Sequence, residues 1–309
     1  MIQSRPIVDR AEWLAWRRQD ITASVVGALF NVHPYCTALR LYCEKRGTEF
    51  PEKDSSVLKR GRWLEPAVAK AVSELKPEWV LDAPGVYLRD AELRLGATPD
   101  FYIYTDPRGL GVLQCKTCAP SVYEREWLAG TEIPFWIVLQ TLTECLLSQA
   151  TFGAVAVMLV DPHNIDCKIL EVPRHPAAEA KIIEHVNDFW TAVEQGNEPE
   201  PDFGRDNAAI RALTARGTHG KTLDLAGNNE LPDMLERRAS FMANIKFAEK
   251  CCEEIENEIR HMLGDAESAN GLDGWRITYK QTDFKGYTVQ PRSQRILRIF
   301  DKRPQEERP

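Results

Sequence analysis

Asp100, Gln114 and Lys116 are the residues of this 309-residue chain whose types and spacing suit chemistry. Gln114 and Lys116 lie in Gly111-Val-Leu-Gln-Cys-Lys-Thr117, which reads as a strand. Strand side chains alternate between faces, so these two polar groups share one face, about 6–7 Å apart. Cys115 then turns to the opposite face, into the packing. Asp100 closes Ala97-Thr-Pro-Asp100 and starts the strand pattern that runs on through Phe101 to Tyr104. The turn Asp106-Pro-Arg-Gly109 would join the two strands as a hairpin and bring Asp100 beside the pair. A carboxylate, an amide and an ammonium placed together form either an ordinary buried ion pair or a hydrolytic centre. These residues by themselves leave both readings open.

The elements that must position this cluster follow from hydrophobic periodicity. Residues 65–75 (EPAVAKAVSEL) and 134–147 read as helices, the second one buried, and 86–88, 112–116, 154–160 and 167–172 read as strands. Strands before, between and after helices predict an α/β core with a mixed sheet flanked by helices. Residues 1–205 hold this core and seven of the eight tryptophans, and residues 206–232, rich in Gly, Asn and Thr, read as a connection. Residues 233–309 form an appendage of one long helix and a strand. In the helix, 233–263, Phe241, Ile245, Ala248, Cys252, Ile255, Ile259 and Met262 make one apolar stripe suited to packing on the core or on a second chain. The strand pattern follows at Trp275–Lys280.

Several other chemistries are excluded. His219-Gly-Lys-Thr222 ends like a phosphate-binding loop, but it lacks the Gly four residues earlier and the preceding strand. Cys115 and Cys118 have C-x-x-C spacing with no second pair to complete a zinc or iron–sulfur site. The eight cysteines, in a chain with no apolar N-terminal signal segment, fit reduced thiols and a cytoplasmic location. No apolar run reaches the ~18 residues of a membrane span.

Beyond the three-residue signature, further segments occur in a recognisable order: Trp13, Arg17 and Ile21-Thr-Ala-Ser24; His33-Pro-Tyr35 with Thr37; Lys45-Arg-Gly47; Arg60-Gly-Arg-Trp-Leu-Glu65-Pro; and Ile133-Pro134 followed by Gln140. In this order, across roughly residues 10–175, the chain resembles the YqaJ/lambda-exonuclease family of the Pro-Asp…(Asp/Glu)-x-Lys nuclease superfamily. The resemblance implies a restriction-endonuclease-like core. It implies that Asp100, Glu65 and position 114, with the backbone carbonyl of Cys115, hold Mg²⁺, for which Mn²⁺ can substitute. Lys116 then handles the attacking water and Gln140 supports it, while Arg17 and Ser24 grip a 5′-terminal phosphate. Glu65 at the start of a helix would otherwise serve only the helix dipole, and Trp13 and Trp16 read as core.

The implied activity is 5′→3′ exonucleolytic hydrolysis of linear double-stranded DNA in phage-type recombination, in a bacterial cytoplasm. A single-strand annealing protein is the implied partner, and a ring-shaped homo-oligomer the implied assembly. The chain departs from the family at Gln114, where Glu or Asp is expected. The amide keeps the shape but loses a charge, which predicts weaker cation binding and weakened catalysis. The rival readings are an endonuclease of the same fold, a non-catalytic DNA-binding or scaffold protein, and an iron–sulfur nuclease. The net charge of −7 speaks against broad nucleic-acid contact. That total hides a net of +4 over residues 1–70 and +6 over 276–303, so DNA contact is expected in a confined groove.

Overall fold

A computed structural model describes residues 1–50, 56–128, 131–271, 274–283, 297 and 299. Its contacts divide the chain into two units, Met1–Thr214 and Ala215–Pro309. The first contains strands β1 (Ile2–Pro6), β2 (Ile21–Thr22), β3 (Val80–Asp82), β4 (Val86–Asp90), β5 (Leu95–Ala97), β6 (Phe101–Tyr104), β7 (Gly111–Cys118), β8 (Phe152–Val160) and β9 (Ile165–Pro173). Its helices are α1 (Arg10–Gln19), α2 (Ala38–Lys45), α3 (Ser56–Leu75), α4 (Pro120–Glu126), α5 (Phe135–Ser148), α6 (Pro176–Gln195) and α7 (Asn207–Leu213), with a 3₁₀ segment at Ala23–Phe30.

The sheet that carries the candidate site has the order β3-β6-β7-β8-β9. The β6–β7 hairpin is antiparallel, as the turn predicts, whereas β7 and β8 run parallel and are joined through α4 and α5. A parallel pair needs such a crossover, because a tight turn cannot reverse the chain twice. Alternation along β7 and β8 sorts their side chains between two layers. Leu113, Cys115, Ala154, Ala156 and Met158 pack with Val68 and Val72 of α3, while Val155 and Val157 join the larger core with Leu139 and Leu142 of α5. The mixed sheet flanked by helices is therefore present, with α3 on one face and α5 on the other. A smaller sheet, β1-β4-β5-β2, stands beside it.

Two expectations change. The helix at residues 65–75 begins earlier, at Ser56, so Glu65 lies within α3 and not at its start. Pro66 sits inside the helix. It removes only the one N–H that would have bonded the carbonyl of Arg62, and apolar packing of Val68 and Val72 carries the helix through. The helix-dipole reading of Glu65 thereby loses its basis. Residues 206–213, assigned to the connection, belong with the core: Asp206 is buried and accepts from Thr37 Oγ1 and from the backbone N–H of Asp202, at 2.8 Å for the latter, and Ala209 of α7 is buried.

The second unit contains α8 (Leu231–Leu263) and a two-residue ladder of β10 (Ser268–Ala269) with β11 (Ile277–Thr278). The expected strand at 275–280 shrinks to that pair. Helix α8 buries none of its residues, and Phe241, Ile245, Ile255 and Met262 of its stripe are exposed. Most of the basic segment 276–303 lies outside the described residues. No helix among the described residues is long and apolar enough to cross a membrane.

One buried charge organises the N-terminal part. Asp20, fully buried after α1, accepts from Tyr87 Oη at 2.9 Å and from Arg89 Nε at 2.8 Å, tying α1 to β4. Lys45 Nζ donates to the carbonyls of Arg17, Arg18 and Asp20, filling acceptors that a helix C-terminus leaves open. Replacing Asp20 by Ala should leave the Arg89 charge, only 16% exposed, without its partner. Urea unfolding should show a loss of about 3–5 kcal/mol.

Candidate active site

The residues that the hairpin was expected to gather do converge, through an unbroken series of hydrogen bonds. Asp100 lies immediately before β6, and its Oδ2 accepts from Gln114 Nε2 and from the Cys115 backbone N–H at 2.8 Å. Gln114 Oε1 accepts from Gln140 Nε2 of α5 at 2.8 Å. Gln140 Oε1 accepts from Lys116 Nζ at 3.0 Å, and Gln140 Nε2 also donates to Glu144 Oε1 at 3.0 Å. These bonds fix the orientation of both amides. Gln114, Gln140 and Glu144 are all buried, where an unmatched polar group costs about 1–3 kcal/mol.

The departure at Gln114 has a structural correlate. An amide there donates straight to Asp100. A carboxylate in its place would bring two acceptors together with no donor between them, and would need a proton or a cation to hold them.

Acidic groups outnumber bases around this cluster. Burial, and then the charge of Asp100, push the Glu65 carboxyl up to about 7. Burial, and then Asp100 again, push Glu144 up to about 8. Asp100 is itself raised by burial, against the pull of Lys116 and its hydrogen bonds. Carboxylates that repel one another in a dry site are suited to a hard divalent cation. Among the described residues no three His, Cys, Asp or Glu side chains converge tightly on one point. A cation held here must therefore take amide or backbone carbonyl oxygens and water as well, which is the mixed coordination Mg²⁺ favours. In that sense the residues fit the ion: Glu65, Asp100, Gln114 Oε1 and the Cys115 carbonyl offer oxygen only. The Cys115 thiol is pushed far up by burial, and all eight cysteines are free, so none is poised as a thiolate ligand.

A second cluster lies in the same unit. Arg17, in the last turn of α1, donates to Ser24 Oγ at 3.0 Å and to Thr22 Oγ1 at 3.4 Å, and its guanidinium lies 4.6 Å from the Trp13 ring centre. Trp13 in turn donates to Thr98 Oγ1 at 3.1 Å, two residues before Asp100. Arg17, Arg18, Thr22, Arg40 and Lys45 line an open cavity, with Glu44 on its wall. Four cations against two acids, Glu44 and Glu49, give its lining a net positive charge, which suits an anion. The 3₁₀ segment that bears Ser24 is pressed against α5: a Cβ on Gly27 would fall 2.9 Å from Trp136 Cβ. Trp136 also lies under Lys116 Nζ, 5.4 Å from its ring centre.

All the anticipated site residues are thus found in one unit, with Asp100, Gln114, Lys116 and Gln140 in direct contact. Glu65 faces the cluster through its charge and not through a hydrogen bond. Glu144 was not anticipated. Its signal was available: it lies four residues after Gln140, on the same helical face, and is the only carboxylate in the run PFWIVLQTLTECLL.

The raised carboxyl groups have a consequence for stability. Glu65 and Glu144 keep their protons to higher pH in the folded chain than in the unfolded one. Their contribution is complete below the ordinary carboxylate range and is lost as pH rises through about 7 to 8. Thermal unfolding in EDTA should show Tm falling across this window, and Glu65→Gln should flatten the part near pH 7.

Residues 12–148 match the YqaJ-like viral recombinase domain. No curated protein matches the sequence. Among solved structures, an alkaline exonuclease from Laribacter hongkongensis is similar at 21% identity and a TM-score of 0.44, covering 65% of this chain and 99% of that one. A phage-related exonuclease from Haemophilus somnus is similar at 12% identity and a TM-score of 0.42, covering 57% and 94%. The SOX protein, crystallised with DNA, is similar at 10% identity and a TM-score of 0.38, covering 63% and 71%. These likenesses are distant; residues 12–148, which contain the whole hydrogen-bonded cluster and the Arg17–Ser24 pair, are similar to the YqaJ-like viral recombinase domain.

Proposed function

We propose that the chain is a Mg²⁺-dependent exonuclease that removes nucleotides from the ends of linear double-stranded DNA, 5′→3′, in phage-type recombination. The observation that carries this reading is the Asp100–Gln114–Gln140–Lys116 contact, lying inside the YqaJ-like segment. Glu65, Asp100, Gln114 Oε1 and the carbonyl of Cys115 would hold the cation, for which Mn²⁺ can substitute. When bound, Mg²⁺ supplies positive charge to the transferring phosphate and lowers the pKa of water.

Lys116 spends one N–H on Gln140 Oε1 and keeps two for the attacking water and a phosphate oxygen. Gln140 holds that ammonium in place. Water adds to phosphorus, the P–O3′ bond breaks, and the 3′ oxygen leaves with a proton, freeing a 5′-nucleotide. Arg17, braced on Trp13 and Ser24, binds the terminal 5′-phosphate through its guanidinium fork. The neutral Gln114 weakens cation binding relative to a carboxylate at that position. A single-strand annealing protein would receive the exposed strand, and several copies of the chain would encircle the duplex as a ring in a bacterial cytoplasm. With a net charge of −7, few phosphates would be contacted, so binding should weaken only moderately with salt.

The test is digestion of 5′-phosphorylated linear duplex in Mg²⁺ or Mn²⁺, beside a covalently closed circle. The linear duplex should be degraded and the circle left intact, with Gln114→Glu faster than the parent. Nicking of the circle would make the chain an endonuclease. DNA binding in EDTA, with no cleavage even by Gln114→Glu, would make it a non-catalytic binder. Arg17→Ala should reduce the preference for 5′-phosphorylated over 5′-hydroxyl ends about tenfold or more.

A further inference from the structure

Helix α8 carries an apolar stripe along its length, yet none of its residues is buried. Among the described residues the second unit holds no other helix. With 33 residues it is a rod about 50 Å long. The stripe from Phe241 to Met262 alternates spacings of four and three, and the same spacing runs back through Arg238 and Met234 to Leu231. A strict seven-residue repeat drifts around a straight helix of 3.6 residues per turn. Over this length it stays in contact only with another helix that coils around it.

We propose that α8 pairs with α8 of a second copy of this chain as a two-stranded antiparallel coiled coil. Charge along the helix is uneven: residues 231–247 carry three Lys/Arg against two Asp/Glu, and residues 248–263 carry two against five. A parallel partner would set the acidic half on the acidic half and Arg238, in the seam, on itself. It would also stack Phe241 on Phe241 and Ala248 on Ala248, overfilling one layer and underfilling the other. The antiparallel register that uses the whole stripe sets Phe241 against Cys252 and Ile245 against Ala248, a large side chain facing a small one in both layers. It brings Arg237 and Arg238 to the level of Glu254, Glu256 and Glu258 of the second copy. A stable interface buries about 1,200–2,000 Å². Each buried aliphatic or aromatic side chain removes about 60–120 Å² from water, so the apolar seam positions of two copies reach that range. The pairing does not depend on the proposed nuclease activity, and neither does its test.

The full chain at micromolar concentration is followed by sedimentation, and, in a Cys251→Ser background, by mild oxidation with peptide mapping. In the antiparallel register the two Cys252 residues lie about 16 Å apart along the axis, too far for a disulfide. The parent should therefore form no bridge between them, whereas Phe241→Cys should bridge to Cys252 of the second copy. Ile245→Asp should halve the mass of the assembly that the parent forms. Arg237→Glu/Arg238→Glu should weaken pairing about tenfold or more, and adding Glu254→Arg/Glu258→Arg should restore it. A monomeric parent, or one whose mass Ile245→Asp leaves unchanged, would overturn the proposal. So would a disulfide between the two Cys252 residues, which a parallel pair forms, or a fourfold charge exchange that pairs no better than the double reversal. Should Ile245→Asp fail to fold, the Phe241→Cys bridge decides alone, and its absence would overturn the pairing.

Discussion

The amide of Gln140 holds this centre together. It is one planar group with two donors and one carbonyl oxygen, buried between a strand and a helix that otherwise meet through apolar side chains. One end serves Gln114 and Glu144, and the other receives Lys116. Burial removes water as an alternative partner, so each hydrogen bond must be met by protein. The register of α5 on β7 therefore cannot slip without leaving several groups unmatched. Asp100, Gln114, Lys116 and Glu144 are positioned because Gln140 can satisfy all its demands in only one arrangement.

Around this centre the protein gathers acid where dielectric screening is weak. The raised carboxyls of Glu65, Asp100 and Glu144 are one effect with a common first cause, burial, reinforced for Glu65 and Glu144 by the charge of Asp100. Gln114 moderates it, since its Nε2 gives Asp100 a donor in place of a repelling oxygen. The amide thus stabilises the fold where a carboxylate would strain it, and leaves the gathering of charge to residues that reach the centre from other elements.

The anion-suited cavity is tied to the same framework by packing. Asp20 fixes the end of α1 to β4, Lys45 caps its carbonyls, and Arg17 leaves the last turn braced on Trp13. Trp13 reaches Thr98, next to the segment that delivers Asp100. On the other side, Gly27 lets the 3₁₀ segment close on Trp136 of α5. The groups suited to a terminal phosphate and those suited to hydrolysis therefore sit on elements braced against each other.

Much of this was legible in the residues. Period-2 alternation placed Gln114 and Lys116 on one face of β7 and Cys115 on the other. The turn Asp106–Gly109 placed Asp100 beside them, because strand geometry and turn chemistry are local. The buried helix with Gln140 was also visible, as an apolar run with one amide. What local pattern could not supply was the partner of each buried polar group. In the sequence Glu144 is one acid in a helical pattern; the parallel β7–β8 pairing brings α5 over β7. Glu65 reads as a helix start in the sequence, whereas α3 runs from Ser56 through Pro66, held by packing. The side chains that could do chemistry were set by sequence. Which of them meet, and whose charges act on one another, was decided only in the tertiary structure, because burial and through-space repulsion depend on distances between elements far apart in the chain.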